Sequence, residues 1–174
     1  MKFSILPMVF LGFFLSNVYA ATETAAQVSE PTQTTGSETA MTNTTDKALS
    51  GEAFLAANKN KPGVITLPDG LQYKVLVDGK GAIPTDSDTV TVHYQGTLVN
   101  GTEFDSSYKR GQPATFPVLG VIPGWVEALK MMKVGSTWEL FIPASLAYGD
   151  RGAPPVIGPN ETLIFKVQLL SINK

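Results

Sequence analysis

The sequence predicts an α+β fold: an antiparallel sheet of five to six strands with one short helix covering one of its faces. Two observations carry this prediction. Several short segments after residue 63 alternate apolar and polar side chains, as strands buried on one face do. One segment, 121–132, instead repeats its apolar side chains at helical spacing. Consecutive strands combined with a single helix are typical of the α+β class.

Residues 1–20 have the character of a secretory signal peptide. Lys2 supplies a positive start, an apolar run follows over 3–15, and the segment closes on Val18-Tyr19-Ala20. An uncleaved membrane anchor is the weaker alternative, because the apolar run is short for a span of about 20 residues. We therefore expect an exported protein, in the periplasm, associated with the outer membrane or secreted, without a stable membrane span after cleavage.

Two further segments precede the predicted domain. Residues 21–45 are rich in threonine and have no aromatic or basic side chain, so we expect a disordered tail. Residues 46–63 predict a short helix, capped by Asp46, and a linker that ends at Pro62-Gly63. The folded domain is expected over 64–174.

The strands are predicted where apolar side chains recur at every second position. Such segments surround Tyr73, Val92, Leu140 and Val167, and a shorter strand is expected over 114–119. A long loop rich in glycine and proline, 144–161, precedes the last strand. The predicted core residues are Tyr73, Val75, Val90, Val92, Leu98, Leu119, Val126, Leu129, Trp138, Leu140, Ile142, Leu163 and Val167.

The predicted helix begins near Pro123, whose missing N–H costs little at a helix start. Its apolar stripe contains Trp125, Val126, Leu129 and Met132. Trp125 in the first turn either fills the core or forms the floor of a pocket, and this stretch by itself favours the core.

Composition excludes several classes of site. The chain has no cysteine and a single histidine, which removes thiol chemistry and Cys/His zinc sites. The net charge of −2 argues against nucleic-acid binding. No nucleophile elbow, P-loop or HExxH motif occurs. His93 lies on the strand face opposite the apolar stripe and is expected to face solvent.

Five short motifs occur in a specific order, and together they carry a resemblance. They are VHYQG at 92–96, GTEFDSS at 101–107, VIPGW at 121–125, LAYG at 146–149 and GPNETLIF at 158–165. This order resembles the FKBP-type peptidyl-prolyl cis-trans isomerases, in particular the secreted bacterial branch named for the macrophage infectivity potentiator. Residues 51–63 are similar to the linker before the isomerase domain in that branch.

The resemblance implies a fold, a site and an activity. The fold is a twisted antiparallel sheet wrapped around one short helix. The activity is isomerisation of X–Pro bonds in exported proteins, without a metal or a cofactor. Asp105, Tyr148 and the Ile122 backbone N–H are the implied catalytic contacts. The implied substrate-binding residues are Tyr94, Phe104, Arg110, Phe116, Val121, Trp125, Val156, Ile157 and Phe165.

The sequence leaves several points about the site and the whole protein open. Asp105 either polarises the site or orients Tyr148, or else it forms a structural ion pair with Arg110. The resemblance implies proline-containing polypeptides as substrates and tacrolimus- or rapamycin-type macrolides as ligands. We expect a monomer, because the long helix that precedes the linker in many relatives is not evident. The alternative function is a peptide-binding chaperone or host-interaction module with little isomerase activity.

Overall fold

A computed structural model describes residues 51–173, and the predicted signal peptide, the predicted tail and the start of the 46–63 segment lie outside them. Within residues 51–173 the expected α+β fold is confirmed, with seven strands and two α-helices. The two additional strands, Val64–Thr66 and Glu103–Ser106, are only three and four residues long, too short for a period to be evident. Helix α1 covers 51–58. The other elements are β1 (Val64–Thr66), β2 (Gln72–Val77), β3 (Thr89–Leu98), β4 (Glu103–Ser106), β5 (Ala114–Pro117), α2 (Pro123–Leu129), β6 (Thr137–Ile142) and β7 (Leu163–Asn173).

The strands form one antiparallel sheet in the order β1-β2-β6-β7-β3-β4, and β5 also pairs with β3. Strands β3 and β7 are the longest, and they pair along their whole length from Thr89↔Asn173 to Leu98↔Leu163. Every second residue of β3 is buried from Val90 to Leu98. This strict alternation gives the sheet an inner apolar face and an outer face that is largely polar.

Helix α2 lies on the inner face and buries Trp125, Ala128 and Leu129. It can approach the sheet closely because residue 124 is glycine. A Cβ at that position would lie 2.6 Å from Cγ2 of Ile142, which is closer than atoms can pack. The helix ends at Leu129, so Met132, which is also fully buried, belongs to the turn that follows it.

Helix α1 lies against the opposite, outer face of the sheet. The ring of Phe54 contacts that of Phe141, with centroids 6.0 Å apart. Gln72 accepts a hydrogen bond of 3.0 Å from Nδ2 of Asn58 and donates one of 2.9 Å to the carbonyl of Leu55. These buried contacts fix the orientation of α1 on the domain. Within residues 51–173, no helix has both the length and the apolar character of a membrane span.

Two members of the predicted core are wrong, and two are only half-buried. Leu119 is 61% exposed because the predicted strand 114–119 ends at Pro117 and a 3₁₀ turn follows. Val75 is 39% exposed because it lies on β2 beyond the last pair with the short edge strand β1. Tyr73 and Val126 are half-buried. The other predicted core residues are buried: Val90, Val92, Leu98, Leu129, Trp138, Leu140, Ile142, Leu163 and Val167.

Candidate active site

An aromatic cage surrounds Trp125 between α2 and the inner face of the sheet. Its indole meets the rings of Tyr94 and Phe165 nearly edge-on, with both centroid separations at 5.3 Å, and that of Phe116 at 6.1 Å. Phe104 meets Phe165 at 5.4 Å in the same perpendicular arrangement. Edge-to-face contacts of this kind are favourable and orient each ring. The cage therefore holds Trp125 in one position.

The sheet register explains why these rings meet. Tyr94 and Phe165 lie on β3 and β7, and their strand partners are Val167 and Gly96. Gly96 makes room for the cage, because a Cβ there would lie 2.7 Å from ring atoms of both Phe104 and Phe165. Sequence reasoning did not include Gly96 in the site. A glycine within an alternating strand is the signal that identifies such a position.

Trp125 is only 4% exposed, and its Nε1–H is buried without a hydrogen-bond partner among the described residues. Within this part of the chain, ring contacts and the helix backbone hold the indole. The sequence left open whether Trp125 fills the core or forms a pocket floor. At 4% exposure the indole is packed as part of the core, and its part as the floor of a substrate pocket stays a prediction.

A polar triad borders the cage. The Tyr94 hydroxyl donates a hydrogen bond to the carboxylate of Asp105, and Arg110 forms an ion pair with the same carboxylate. Nη2 of Arg110 also donates to the Tyr94 hydroxyl over 2.8 Å, and the guanidinium lies 5.4 Å from the Tyr94 ring centroid. Asp105 therefore forms the ion pair with Arg110 that the sequence left open, and it also binds the Tyr94 hydroxyl, a contact that was not predicted.

The triad changes the proton affinities of its members. Burial, followed by the hydrogen bond to Asp105, raises the pKa of Tyr94 to about 12, so its hydroxyl stays protonated and keeps donating at neutral pH. Burial by itself would lower the pKa of Arg110, but its hydrogen bonds to Tyr94 and Asp105 outweigh this and raise it. In the triad, therefore, the protonated Tyr94 hydroxyl and the Arg110 cation both bind the carboxylate of Asp105.

Tyr148 and Val156 lie on the loop between β6 and β7, and they are 39% and 44% exposed. The Tyr148 hydroxyl has no hydrogen-bond partner among residues 51–173, so it is available to a ligand. Burial and the charge of Asp105 both raise the pKa of Tyr148, which keeps the hydroxyl protonated. Ile157, one residue after Val156, is buried and belongs to the core cluster.

Ile122 lies at the entry to α2. Its carbonyl accepts the first hydrogen bonds of the helix, from the N–H groups of Trp125 at 2.9 Å and Val126 at 3.2 Å. Its own N–H donates to no residue in the described part of the chain. Val121 and Ile122 are half-buried and pack on the core cluster. An unpaired donor beside an apolar surface suits a carbonyl group of a ligand.

His93 differs from the expectation that it faces solvent freely. It lies on the outer face but is half-buried, its Nδ1 is 2.9 Å from Oγ of Ser107, and its ring stacks on Tyr108. It lies on the face of β3 opposite Tyr94, and Ser107 also accepts a hydrogen bond of 2.8 Å from the Tyr94 N–H. No group of three or more potential metal-ligating side chains occurs within the described ranges.

The family model described as FKBP-type peptidyl-prolyl cis-trans isomerase matches residues 80–170, slightly more than half of the chain. The chain belongs to this family. A second model, for the domain amino terminal to FKBP-type isomerases, matches residues 15–75.

Individual members of the FKBP family are similar over the same region. The chain is 65% identical over 127 residues to the peptidyl-prolyl cis-trans isomerase Mip of Coxiella burnetii, an alignment covering 73% of this chain and 55% of that protein. It is 63% identical over 124 residues to the outer membrane protein MIP of Legionella longbeachae, covering 71% and 53%. The chain thus spans about half the length of these curated relatives.

A solved structure shares the fold. The crystal structure of FkpA from Escherichia coli superposes with a TM-score of 0.75 at 46% identity, and the match covers 78% of this chain and 63% of that one. The FKBP fold expected from the sequence motifs is therefore confirmed by an experimental relative.

Proposed function

We propose that this chain is a peptidyl-prolyl cis-trans isomerase that assists the folding of exported proteins. The observation that carries the proposal is the aromatic cage around Trp125, together with two donors, the Ile122 N–H and the Tyr148 hydroxyl, that have no partner among the described residues. The family membership supports the same activity. The chaperone or host-interaction alternative has no observation in its favour.

The chemistry that we propose requires no acid, base or covalent intermediate. Resonance keeps the X–Pro amide planar and imposes a barrier of about 18–20 kcal/mol. A twisted amide has lost this resonance, and its carbonyl is less polar than that of the planar form. An apolar cage that excludes water therefore favours the twisted amide over the planar ground state, which is differential binding of the transition state.

Each site residue has a proposed role in this step. The proline ring lies on Trp125, between Tyr94 and Phe165. The Ile122 N–H and the Tyr148 hydroxyl donate to substrate carbonyl groups, which fixes the chain on either side of the rotating bond. Asp105 holds the Tyr94 hydroxyl and Arg110 in place at the border of the cage. The remaining apolar contacts are proposed for Phe104, Phe116, Val121, Val156 and Ile157.

The proposal is tested by proline isomerisation of a short peptide, catalysed by the full chain. We expect acceleration over buffer and inhibition by rapamycin. Tyr148→Phe should lower kcat/KM by roughly 2- to 10-fold, the effect of one hydrogen bond. Tyr108→Phe is the matched control on the outer face and should leave the rate unchanged. Wild-type rates equal to those in buffer would overturn the enzyme and leave a binding protein.

Three further proposals concern the whole protein. The predicted signal peptide supports export, to the periplasm, the outer membrane or the medium, and one relative is named an outer membrane protein. We propose the domain limits 1–20, 21–45, 46–63 and 64–174. We also propose a monomer, which sedimentation at micromolar concentration tests; a stable dimer would contradict it.

A further inference from the structure

Strand β3 is paired along one edge by two different strands, with a gap between them. Residues 89–92 pair with β5, and residues 95–97 pair with β4. Tyr94, whose hydroxyl belongs to the polar triad, lies in this gap. Backbone N–H and C=O groups in the interior of a protein need hydrogen-bond partners. On this edge, the partners of Tyr94 have to come from outside the two strands.

Ser107, the residue directly after β4, supplies both partners. Its N–H donates to the carbonyl of Tyr94 over 2.9 Å, as the next pair of the β3–β4 ladder would. The N–H of Tyr94 donates over 2.8 Å to Oγ of Ser107, where a regular ladder would use the backbone carbonyl. The hydroxyl therefore takes the place of a backbone acceptor and extends the ladder by one residue.

The Ser107 side chain is completely buried, and its hydroxyl is held from several directions. Besides the N–H of Tyr94, Oγ lies 3.2 Å from the Tyr94 carbonyl and 2.9 Å from Nδ1 of His93. A hydroxyl has one hydrogen and two acceptor lone pairs. It can thus accept from Tyr94 while its hydrogen goes to the Tyr94 carbonyl or to His93. The His93 ring is itself stacked on Tyr108, with centroids 4.7 Å apart, so the hydroxyl is also fixed from the outer face.

Ser107 lies between the two charged members of the triad along the chain. Asp105 precedes it by two residues on β4, and Arg110 follows it by three residues on the loop that leaves the sheet. That loop returns Nη2 of Arg110 to the Tyr94 hydroxyl, at 2.8 Å, and the guanidinium to the Asp105 carboxylate. One buried serine therefore joins the backbone of Tyr94 to the segment that carries both of its charged partners.

We propose that Ser107 is a positioning residue of the isomerase, whose buried hydroxyl fixes Tyr94 in the gap of the ladder and so holds the Tyr94 hydroxyl between Asp105 and Arg110. Ser107 acts through Tyr94 and offers no group of its own to a substrate, because its hydroxyl is already bonded. Without that hydroxyl the N–H of Tyr94 is left unsatisfied, and β3 has to shift to relieve the cost. This inference rests on the proposed function, since the triad borders the proposed substrate site.

The substitution Ser107→Ala removes the hydroxyl with little change in volume. We expect kcat/KM of the full chain to fall by roughly 3- to 10-fold, measured where urea unfolding shows the variant to be folded. Ser106→Ala is the matched control, because this neighbouring serine is also buried but its Oγ accepts a bond of 3.4 Å from the N–H of Lys109. It should keep kcat/KM within about 2-fold of the wild type. Equal rates for Ser107→Ala and an active wild type would overturn the proposal.

A double-mutant cycle with Tyr94→Phe distinguishes positioning from a general effect on the fold. If Ser107 acts through the Tyr94 hydroxyl, Ser107→Ala should lower kcat/KM by less than about 2-fold once that hydroxyl is absent. The same fold-loss in both backgrounds would show that Ser107 only stabilises the fold, and it would contradict the positioning role.

A spectroscopic measurement keeps this inference separate from the proposed activity. The guanidinium of Arg110 is held by hydrogen bonds to Tyr94 and Asp105, so its Nη signals should be resolved by NMR in the wild type. We expect these signals to persist in Ser106→Ala and to merge in Ser107→Ala. Their persistence in Ser107→Ala would overturn the proposal even for an active enzyme. Their loss in a chain without isomerase activity would support the positioning of the triad and refute the proposed function.

Discussion

Two carboxylates on β4 form the same kind of contact on opposite faces of the sheet. On the inner face, Asp105 pairs with Arg110 and accepts a hydrogen bond from Tyr94. On the outer face, Glu103 pairs with Lys109 at 2.7 Å and accepts a hydrogen bond from Gln95. The strand residues Tyr94 and Gln95 are adjacent, and so are the two cations. One strand pair and one loop thus produce two similar clusters.

A β-bulge separates the two clusters. Residues two apart in a regular strand point to the same face, so Glu103 and Asp105 should be neighbours. The register shifts between Gly96 and Thr97, however, so that Asp105 pairs with Gly96 on the inner face and Glu103 with Thr97 on the outer face. An irregularity of this kind redirects side chains, and bulges are common next to functional sites.

The surroundings make the two clusters chemically different. The inner cluster is bounded by the aromatic cage, where burial holds the Tyr94 hydroxyl in its protonated form. The outer cluster lines an open groove of about 490 Å³ with Ser106, Tyr108 and Lys166. There, hydrogen bonds from Lys109 and Gln95 lower the pKa of Glu103, and the Lys109 side chain is 74% exposed. The two ion pairs are similar, but one borders a buried aromatic cage and the other an open groove. Their effects on the neighbouring groups therefore differ.

The largest expected effect comes from removing the centre of the cage. Trp125→Leu should lower the free energy of unfolding by roughly 2–4 kcal/mol, because it leaves a cavity among three rings, and should lower kcat/KM together with it. Tyr108→Leu, an exposed aromatic on the outer face, is the control and should change both much less. Urea unfolding and the peptide assay measure these effects. Full activity in Trp125→Leu would show that the indole only fills space.

The second-largest expected effect distinguishes the carboxylate of Asp105 from that of Glu103. Asp105→Ala should lower kcat/KM by roughly 10-fold or more, because Tyr94 and Arg110 lose a charged partner beside the substrate. Glu103→Ala removes the equivalent group on the outer face and should keep kcat/KM within about 2-fold, since exposed ion pairs contribute little. Equal losses of activity in Asp105→Ala and Glu103→Ala would show that the surroundings of the two carboxylates do not decide their effect on catalysis.

The smallest expected effect comes from replacing the two cations, Lys109 and Arg110. Lys109→Ala should leave the urea midpoint and the isomerase rate unchanged, because its ammonium is exposed and screened by salt. Arg110→Ala should lower both, since it removes two hydrogen bonds at the border of the cage. The urea midpoint and the isomerase rate are measured at low and at molar salt. An electrostatic contribution is screened by salt, whereas a contribution from packing is not. A salt-sensitive loss in Lys109→Ala would show that the outer cluster stabilises the fold.

The sequence predicted the features that depend on residues close together along the chain, and it missed features that depend on tertiary contacts. Alternation identified the inner-facing residues of β3, β6 and β7. Strands β3 and β7 have one buried and one more exposed face, whereas on β6 the outer-face residue Phe141 is also buried, against α1. Alternation was wrong for Val75 and Leu119, because exposure there depends on where a neighbouring strand ends and where the chain turns. The family resemblance implied Asp105 and Arg110 as site residues, but it did not predict that the Tyr94 hydroxyl contacts both or that Gly96 makes room for the rings.

By itself, the sequence determined the α+β class, the buried face of the long strands and the position of the helix that carries Trp125. These features follow from side-chain periodicity and turn residues, which act over a few positions. Only the tertiary structure decided that Asp105 and Glu103 face opposite ways, and that the Tyr94 hydroxyl meets Asp105. Both outcomes depend on how segments distant in sequence pair and pack, because a one-residue shift in register exchanges the two faces of a strand.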